Sequence, residues 1–232
     1  MTLSLTVPVF NSFDLVRALL GHVSDLKRTA AAHGFELVEV VLSDDGSTPY
    51  LTAPAAVADV PVRILRSDVN RGKGHAVRVA ALAAKGAFVL MSDADESTPL
   101  TEFGRLADVC APDVALVCGS RRAGGVGAVG APWHRRLLSR LFNVFVRVAG
   151  VGGIRDTQCG FKLFRMAALR PVFESLVVDR FAFDVELIAK TRRAGHGVVE
   201  TAVLWQGGRR SSLRVMRDAP RMLYDLFRIA CA

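Results

Sequence analysis

The chain has 232 residues, of which 51% are hydrophobic, and a formal net charge of +8, which is enough apolar material for the core of one large domain. No apolar stretch approaches the roughly 20 residues of a membrane-spanning helix, and the first residues lack the basic segment and cleavage site of a signal peptide, so we expect a cytosolic protein without a membrane span. The four cysteines have no paired-ligand spacing, which argues against a zinc site or a disulfide framework and favours reduced thiols.

The first part of the chain alternates short apolar runs with segments of helical periodicity. The predicted strands are residues 3–9, 35–42, 62–65, 88–91 and 114–118. The predicted helices are residues 11–34, 75–85 and 99–110. Strand, loop and helix repeat with short connections, which predicts an α/β domain with a mostly parallel sheet flanked by helices on both faces.

Each predicted strand is followed at once by polar or charged side chains, with residues 70–73 following the third strand. The clusters are Asn11, Asp44 with Asp45, residues 70–73, Asp93 with Asp95, and Arg121 with Arg122. In parallel α/β sheets, ligands bind beyond the carboxyl ends of the strands. Five such clusters in succession predict one shared site at that edge of the sheet.

The stretch FVLMSDADEST, residues 88–98, places two aspartates with D-x-D spacing just beyond a buried strand. Asp93 and Asp95 can turn toward one cation if the chain bends there, and a divalent ion relieves the repulsion between two close carboxylates. Mg²⁺ or Mn²⁺ suits such oxygen ligands and keeps coordination positions open for diphosphate oxygens. The alternative is a helix start with Ser97 or Thr98 as N-cap, but capping leaves the two aspartates unexplained.

Two further stretches offer groups for a nucleotide. In SDDGS, residues 43–47, Asp45 can accept hydrogen bonds from a base or a ribose, although an Asp-Gly turn is the common use of such a pair. In NRGKGHAV, residues 70–77, the Gly-Lys-Gly of residues 72–74 lies where a loop enters a helix and backbone N–H groups can approach a phosphate. The spacing is not that of a Walker A loop.

The positive charge is concentrated in two segments. Residues 114–155 contain seven arginines and no acidic residue, and residues 205–232 contain six arginines and two aspartates. Local basicity of this kind indicates an anionic partner, whether nucleic acid, anionic lipid or a phosphate-bearing substrate. The alternative is a solvated surface on an arginine-rich chain.

Residues 132–149 have helical periodicity, with a wide apolar face opposite an arginine face that contains no acid. This pattern is typical of a helix lying in a membrane interface, and a helix packed on the domain's own core is an equally open interpretation. A second amphipathic helix is predicted within residues 219–229. Its apolar side is expected to be formed by Met222, Leu223, Leu226 and Phe227.

The motifs VPVFNS, SDDGS, NRGKGHAV, DADEST, GSRR, DTQCGFKLF and FAFDVELI occur in this order between residues 7 and 188. Together they resemble the motif set of family 2 glycosyltransferases with the Rossmann-like GT-A fold, in the branch that transfers a sugar from a nucleotide onto a polyprenyl or dolichyl phosphate. DTQCGFK and FDVEL lean toward the glucosyl type, which implies UDP-glucose as donor; mannose from GDP-mannose is the alternative. The resemblance implies a glycosyltransferase domain over residues 1–205, which includes the interfacial helix, and a basic helical tail over residues 206–232.

The resemblance also implies roles for individual residues. Asp93 and Asp95 would hold Mg²⁺ or Mn²⁺ against the donor diphosphate. The implied nucleotide-binding residues are Pro8, Asn11, Asp44, Asp45, Lys73 and Asp93. The implied acceptor-phosphate residues are Arg121, Arg135 and Ser139. The implied catalytic residues are Asp95, Arg121 and Asp156.

Two of these positions carry open questions. Asp156 is implied to accept a proton or to orient sugar hydroxyls, and the alternative is a turn carboxylate paired with Arg155 or Lys162. The family usually has Glu where this chain has Ser12. A nucleotide contact is therefore either lost or supplied elsewhere.

The resemblance implies single displacement with inversion by a peripheral enzyme at the inner, cytoplasmic face of the membrane. The terminal membrane spans common in this branch are missing from the sequence, which leaves the amphipathic helix or an integral-membrane partner to bring the protein to the lipid. Two other classes stay open. A nucleic-acid-binding module would explain the basic segments, but no helix-turn-helix, zinc finger or RNA-binding aromatic pair is present. A sugar-nucleotide-binding protein without catalysis is favoured only by Ser12.

Overall fold

The structure is a computed structural model that describes residues 1–121, 151–206 and 224–229. Its strands are β1 Thr2–Val9, β2 Glu36–Asp45, β3 Ala56–Val57, β4 Val60–Ser67, β5 Phe88–Ser92, β6 Val114–Ser120, β7 Phe161–Arg165 and β8 Gly197–Ala202. Its helices are α1 Phe13–Gly21, α2 Val23–Ala32, α3 Lys73–Ala83, α4 Phe103–Asp108, α5 Met166–Ser175 and α6 Phe183–Arg193, with a 3₁₀ turn at Leu100–Glu102 and a further helical segment over residues 224–229.

All of these strands belong to one sheet in the order β3-β4-β2-β1-β5-β7-β6-β8. β1 pairs in parallel with β2 and β5, and β6 pairs in parallel with β8, whereas β7 runs antiparallel between β5 and β6. The predicted mostly parallel α/β sheet is therefore confirmed. Because β7 is reversed, its first residues lie at the edge where β1, β2, β5 and β6 end, which we call the carboxyl edge.

Two apolar clusters hold helices against the two faces of the sheet. One cluster joins α1, α2 and α4 to alternate residues of β1 and β5, such as Leu5 and Leu90. The other joins α3, α5 and α6 to residues on the opposite face, such as Val89 and Met91. Successive side chains of a strand point to opposite faces, so β5 can be buried on both sides. This double burial fixes the end of β5, and with it the position of the aspartates that follow.

Several predicted boundaries shift in the structure. The single helix predicted over residues 11–34 is broken at His22, which ends α1 and precedes α2, and the glycine at position 21 lowers the helix propensity there. β2 continues to Asp45, so the two aspartates belong to the strand rather than to the loop after it. The helix predicted over residues 99–110 is a 3₁₀ turn followed by the short helix α4.

The C-terminal helical segment packs on the same domain as the sheet. Leu226 and Ile229 are buried in the cluster with α6, whereas Tyr224 and Phe227 are 62% and 60% exposed. The expectation that Leu226 and Phe227 share one face is therefore wrong, because neighbouring positions on a helix are separated by about 100°. The predicted amphipathic helix over residues 132–149 lies outside the described residues. In the part of the chain that is described, no helix has the length and apolar character that crossing a bilayer requires.

Candidate active site

Asp93 and Asp95 occupy the turn that follows β5 at the carboxyl edge. The Asp93 N–H donates to the Gly160 carbonyl at 3.1 Å, and Asp93 Oδ1 lies 2.6 Å from Lys73 Nζ. The Asp95 carboxylate accepts the Ser97 N–H at 3.1 Å. Glu96 has a φ of +48° and donates its N–H to the Asp93 carbonyl at 3.1 Å, so the chain turns over residues 93–96. Neither Ser97 nor Thr98 caps the following helix through its side chain, so capping does not account for this turn.

Gly160 closes tightly over the Asp93 carboxylate. A Cβ atom at position 160 would lie 1.8 Å from Asp93 Oδ2, a distance that no side chain can occupy without displacing the carboxylate. The reversed strand β7 begins at the next residue. The glycine is thus required by the close approach of the Asp93 carboxylate to the backbone.

The donor set at this turn fits a divalent cation that is shared with an anionic ligand. Asp93 and Asp95 supply the hard oxygen atoms that Mg²⁺ and Mn²⁺ prefer. In the structure, the ammonium of Lys73 lies at the Asp93 oxygen that such a cation would contact. Among the residues that the structure describes, no group of three or more His, Cys, Asp or Glu side chains is placed to hold a metal ion.

Asn11 ties the end of β1 to the loop after β2. Its backbone N–H donates to Ser47 Oγ at 2.9 Å, and its Oδ1 accepts the Thr48 N–H at 2.9 Å. Asn11 adopts a φ of +49°, a left-handed conformation that Asn tolerates better than most residues. The amide therefore shapes the predicted nucleotide pocket by holding two loops together.

The Asp44 side chain is fully buried and paired with other residues of the chain. One carboxylate oxygen pairs with Arg66 Nη1 and the other accepts the Ser47 N–H at 2.9 Å, and the side chain has 0% of its surface exposed. Gly46 has a φ of +80°, as expected for a turn that follows an aspartate. With both oxygens occupied, Asp44 supports the loop rather than offering an acceptor to a ligand.

Asp45 holds the loop that leads into α3. Its two carboxylate oxygens accept the N–H groups of Arg71 at 3.0 Å and Gly72 at 2.7 Å. Burial raises the pKa of Asp45, and these backbone hydrogen bonds oppose that effect. Since Lys73 follows directly as the first residue of α3, Asp45 sets the position from which Lys73 reaches Asp93.

Gly72 is required at the entrance of α3 for two reasons. Its φ is +123°, and a Cβ atom there would lie 2.5 Å from the Asp179 carbonyl oxygen. Asp179 also pairs with Arg78 at 3.0 Å and with Arg71 at 3.5 Å. The loop over residues 70–74 is thus clamped to the segment before α6, which fixes the N-terminus of α3 at the site.

Arg121 and Asp156 form a two-pronged ion pair at the end of β6. Arg121 Nε and Nη2 each lie 2.7 Å from an Asp156 oxygen, and the Arg121 N–H adds a bond of 3.0 Å. Glu200 on β8 accepts the Asp156 N–H at 2.7 Å. Asp156 pairs with Arg121, a partner that the turn interpretation did not include.

The environment of Asp156 opposes a role as a proton acceptor. Burial acts to raise the pKa of Asp156, but the hydrogen bonds and positive charge of Arg121 outweigh it and lower this pKa. A carboxylate with a lowered pKa and both oxygens occupied is a weak base. Arg121 keeps 36% of its side chain exposed, so this geometry favours orientation of Arg121 toward an anion as the function of Asp156.

A buried ion pair that sequence reasoning missed lies beneath the acidic turn. Lys162 Nζ is 2.7 Å from Asp184 Oδ1, and the side chains are 0% and 3% exposed. Lys162 also donates to the Cys159 carbonyl at 2.5 Å. Burial raises the pKa of Asp184, while the charge of Asp184 overcomes burial and raises the pKa of Lys162. The motifs DTQCGFKLF and FAFDVELI contain these two residues and were the signal that could have identified them.

Removing one partner of this pair should destabilise the protein. For Lys162→Met we expect the free energy of unfolding to fall by about 3–5 kcal/mol, because Asp184 is left as a buried carboxylate without its counter-charge. Urea unfolding followed by circular dichroism measures this change. The double variant Lys162→Met with Asp184→Leu should recover most of the loss, since it removes both charges. A single variant as stable as the wild type would contradict the ion pair.

Most of the predicted site residues meet at the carboxyl edge. Those in the described part of the chain are Pro8, Asn11, Asp44, Asp45, Lys73, Asp93, Asp95, Arg121 and Asp156. Ser12, the departure from the family pattern, donates its hydroxyl to the Phe10 carbonyl at 2.9 Å. Arg135 and Ser139, predicted to bind the acceptor phosphate, lie outside the described residues.

Solved structures with the same architecture are glycosyltransferases. Glucosyl-3-phosphoglycerate synthase from Mycobacterium tuberculosis, solved with Mn²⁺, UDP-glucose and phosphoglyceric acid, superposes with a TM-score of 0.72 at 18% identity, covering 99% of this chain and 79% of that one. Mannosyl-3-phosphoglycerate synthase from Rubrobacter xylanophilus gives a TM-score of 0.66 at 21% identity, covering 100% and 73%. The fold is that of the GT-A glycosyltransferases.

Sequence relationships define the family. The family model described as Glycosyl transferase family 2 matches residues 4–173. The chain is 31% identical over 240 residues to a dolichyl-phosphate beta-glucosyltransferase of Dictyostelium discoideum, covering 98% of this chain and 73% of that protein. It is 32% identical over 216 residues to the Homo sapiens protein of the same name, covering 88% and 67%. The chain belongs to glycosyl transferase family 2.

Proposed function

We propose that this protein transfers glucose from UDP-glucose onto a polyprenyl phosphate of the dolichyl type, with inversion at the anomeric carbon. The observation that carries the proposal is the arrangement of charge at the carboxyl edge, where the Asp93 and Asp95 turn with Lys73 stands beside the pair of Arg121 and Asp156. Such a site offers places for two anions, a donor diphosphate and an acceptor phosphate. The relatives named dolichyl-phosphate beta-glucosyltransferase support glucose and this acceptor.

The donor side of the reaction depends on holding a nucleoside diphosphate in place. When bound, Mg²⁺ or Mn²⁺ supplies positive charge that offsets the charge developing on the leaving diphosphate. Asp93 and Asp95 are the residues that would hold it. Asp45 and Asn11 fix the loops around the nucleotide, and Lys73 enters from the N-terminus of α3, where backbone N–H groups favour phosphate oxygens.

The acceptor side needs orientation more than it needs a base. A phosphate monoester is largely dianionic at neutral pH, since its second pKa is about 6. Proton removal is therefore not the difficult step, and a weak base such as Asp156 is compatible with the reaction. Arg121 binds and orients the incoming phosphate, whose negative charge would otherwise repel it from the donor.

An exposed apolar rim adjoins the acidic turn and suits a lipid acceptor. Leu204 and Trp205 are 55% and 45% exposed. The next residue, Gln206, donates its N–H to the Ser97 carbonyl at 2.9 Å, and the Leu204 N–H donates to Glu102 at 2.8 Å. The rim is therefore continuous with the turn that carries Asp95. We place it against the prenyl chain of the acceptor, with the protein peripheral at the cytoplasmic face of the membrane.

Loss of the apolar rim should affect long lipid acceptors selectively. For Trp205→Ala we expect KM for a long-chain polyprenyl phosphate to rise about tenfold, because an aromatic side chain contributes a large apolar contact area. KM for UDP-glucose and the rate with a water-soluble short-chain phosphate should stay close to wild type. Steady-state kinetics with the two acceptors measures the difference. Val109→Ala, at an exposed apolar position at the end of α4, is the control, and an equal effect on both acceptors would contradict this placement.

The donor is tested by comparing nucleotide sugars with one lipid acceptor. We expect transfer from UDP-glucose to exceed transfer from GDP-mannose by at least about a hundredfold, because the pocket must pair its hydrogen bonds with one base. A preference for GDP-mannose would contradict UDP-glucose as the donor, while sugar transfer to a polyprenyl phosphate would stand. Tight binding of nucleotide without transfer from any donor would overturn the proposed enzyme.

A further inference from the structure

The ammonium of Lys73 is paired with Asp93, a carboxylate that the proposed function assigns to the divalent cation. Lys73 Nζ lies 2.6 Å from Asp93 Oδ1, and the two side chains are 19% and 37% exposed. The backbone of Asp93 is held by the hydrogen bond of its N–H to the Gly160 carbonyl at 3.1 Å, and the Asp93 carboxylate lies against Gly160. Lys73 therefore meets Asp93 at a fixed place, between the start of α3 and the end of β5.

We infer that Lys73 is an exchangeable counter-ion that couples metal binding to donor binding. Without a donor, the ammonium neutralises Asp93 and competes with a divalent cation for it. When a nucleoside diphosphate arrives, the ammonium moves to its phosphate oxygens and releases Asp93 to the cation. The inference rests on the proposed function, since it takes a nucleoside diphosphate as the ligand that draws Lys73 away.

The charges around the pair support this exchange. A divalent cation placed on Asp93 beside an ammonium would be repelled at short range in a partly dry site, so the two cations exclude each other. Arg121 also lies within electrostatic reach of Asp93, which adds positive charge. Asp184 interacts electrostatically with both Lys73 and Asp93, but it is already paired with Lys162 at 2.7 Å.

Lys73 also has the chemistry to exchange partners. Its ammonium is a compact charge at the end of a flexible stem of four carbons, and it binds phosphate as a point charge rather than through a fixed two-pronged geometry. A bound diphosphate brings negative charge for both the ammonium and the metal. Each ligand then raises the affinity for the other by the same factor, because binding linkage is reciprocal.

The inference is tested by titrating the full chain with Mn²⁺ alone and following free Mn²⁺ by electron paramagnetic resonance. Lys73→Met should bind Mn²⁺ about fivefold more tightly than wild type, since it removes a competing, partly exposed ion pair. Lys73→Gln provides a second neutral variant and should behave in the same way. Lys85→Met, an exposed lysine just beyond α3, is the matched control and should bind Mn²⁺ like wild type.

A second titration, with saturating UDP present, measures the coupling. In wild type, UDP should increase Mn²⁺ affinity, and in Lys73→Met this increase should be smaller by about the same fivefold factor. Equal or weaker Mn²⁺ binding by both neutral variants without nucleotide would overturn the inference while leaving the proposed function in place. Failure of wild type to bind UDP at any Mn²⁺ concentration would instead overturn both the UDP-dependent function and the coupling. The titration without nucleotide distinguishes this failure from a failure of the inference alone.

Discussion

Replacing Asp95 with Ala is expected to lower the rate of glucose transfer by about a thousandfold or more while the protein stays folded. In the proposed reaction, Asp95 supplies one of two carboxylates for the cation that offsets charge on the leaving diphosphate, and loss of such electrostatic stabilisation costs this much in enzymes of many kinds. The Asp95 side chain is partly exposed and accepts a local hydrogen bond from the Ser97 N–H, so the free energy of unfolding should change by less than about 1 kcal/mol. Initial rates with labelled UDP-glucose, together with circular dichroism, measure both quantities.

A matched substitution separates the role of Asp95 from a general loss of negative charge. Asp113 is exposed next to the first residue of β6, at the opposite edge of the sheet, and Asp113→Ala should transfer glucose at the wild-type rate. The metal role predicts that a chelator abolishes wild-type turnover. Full activity of Asp95→Ala in the presence of chelator would refute that role.

Replacing Arg121 with Ala should affect both catalysis and stability. We expect turnover to fall about a hundredfold and KM for the acceptor phosphate to rise, because the guanidinium orients the incoming anion. Stability should fall by about 1–3 kcal/mol, an amount reduced from that of a fully buried pair because Arg121 is 36% exposed. Arg121→Lys should rescue little, since Lys lacks the two-pronged geometry. Arg17→Ala, at an exposed position on α1, is the control.

The stability effect at Arg121 should depend on pH in a defined direction. Against the effect of burial, Arg121 lowers the pKa of Asp156 in the folded state, so the ion pair contributes its full stability above the ordinary carboxyl pKa. The contribution is lost as pH falls through the lower, folded value. Urea unfolding should therefore show a large gap between wild type and Arg121→Ala at neutral pH that closes in acid. A gap that widens in acid would contradict the assignment.

The parallel half of the sheet was predictable because each strand there is an apolar run followed by a turn and a helix. β7 and β8 were not predicted, for reasons that lie in their residues. β7 is only five residues long, and its second residue is Lys162, whose charge is matched by Asp184, a partner distant in sequence. β8 is only partly buried and contains Glu200, so it lacks the continuous apolar pattern of the central strands.

The positions of candidate site residues were predictable where they follow the end of a strand. The side-chain pairs that these residues form were less predictable. The sequence predicted that Asp93 and Asp95 lie just beyond a buried strand and that the polar clusters share one edge of the sheet, and the structure has them there. The partners of Asp156 and Asp44 depend on which loops meet in space, and no local spacing encodes the contacts of Arg121 or Arg66. The motifs that contain these residues pointed to a shared site only through their resemblance to a family.

The most direct measurement of the proposed reaction is the product formed when the purified full chain is incubated with UDP-glucose, a polyprenyl phosphate and Mn²⁺. The proposed single displacement predicts a lipid-extractable glucosyl phosphate with the β configuration, the inverse of the α-linked donor. Nuclear magnetic resonance of the anomeric proton identifies this product. An α-linked product would contradict single displacement. Free glucose and UDP without any glycolipid would contradict an acceptor phosphate held beside the acidic turn.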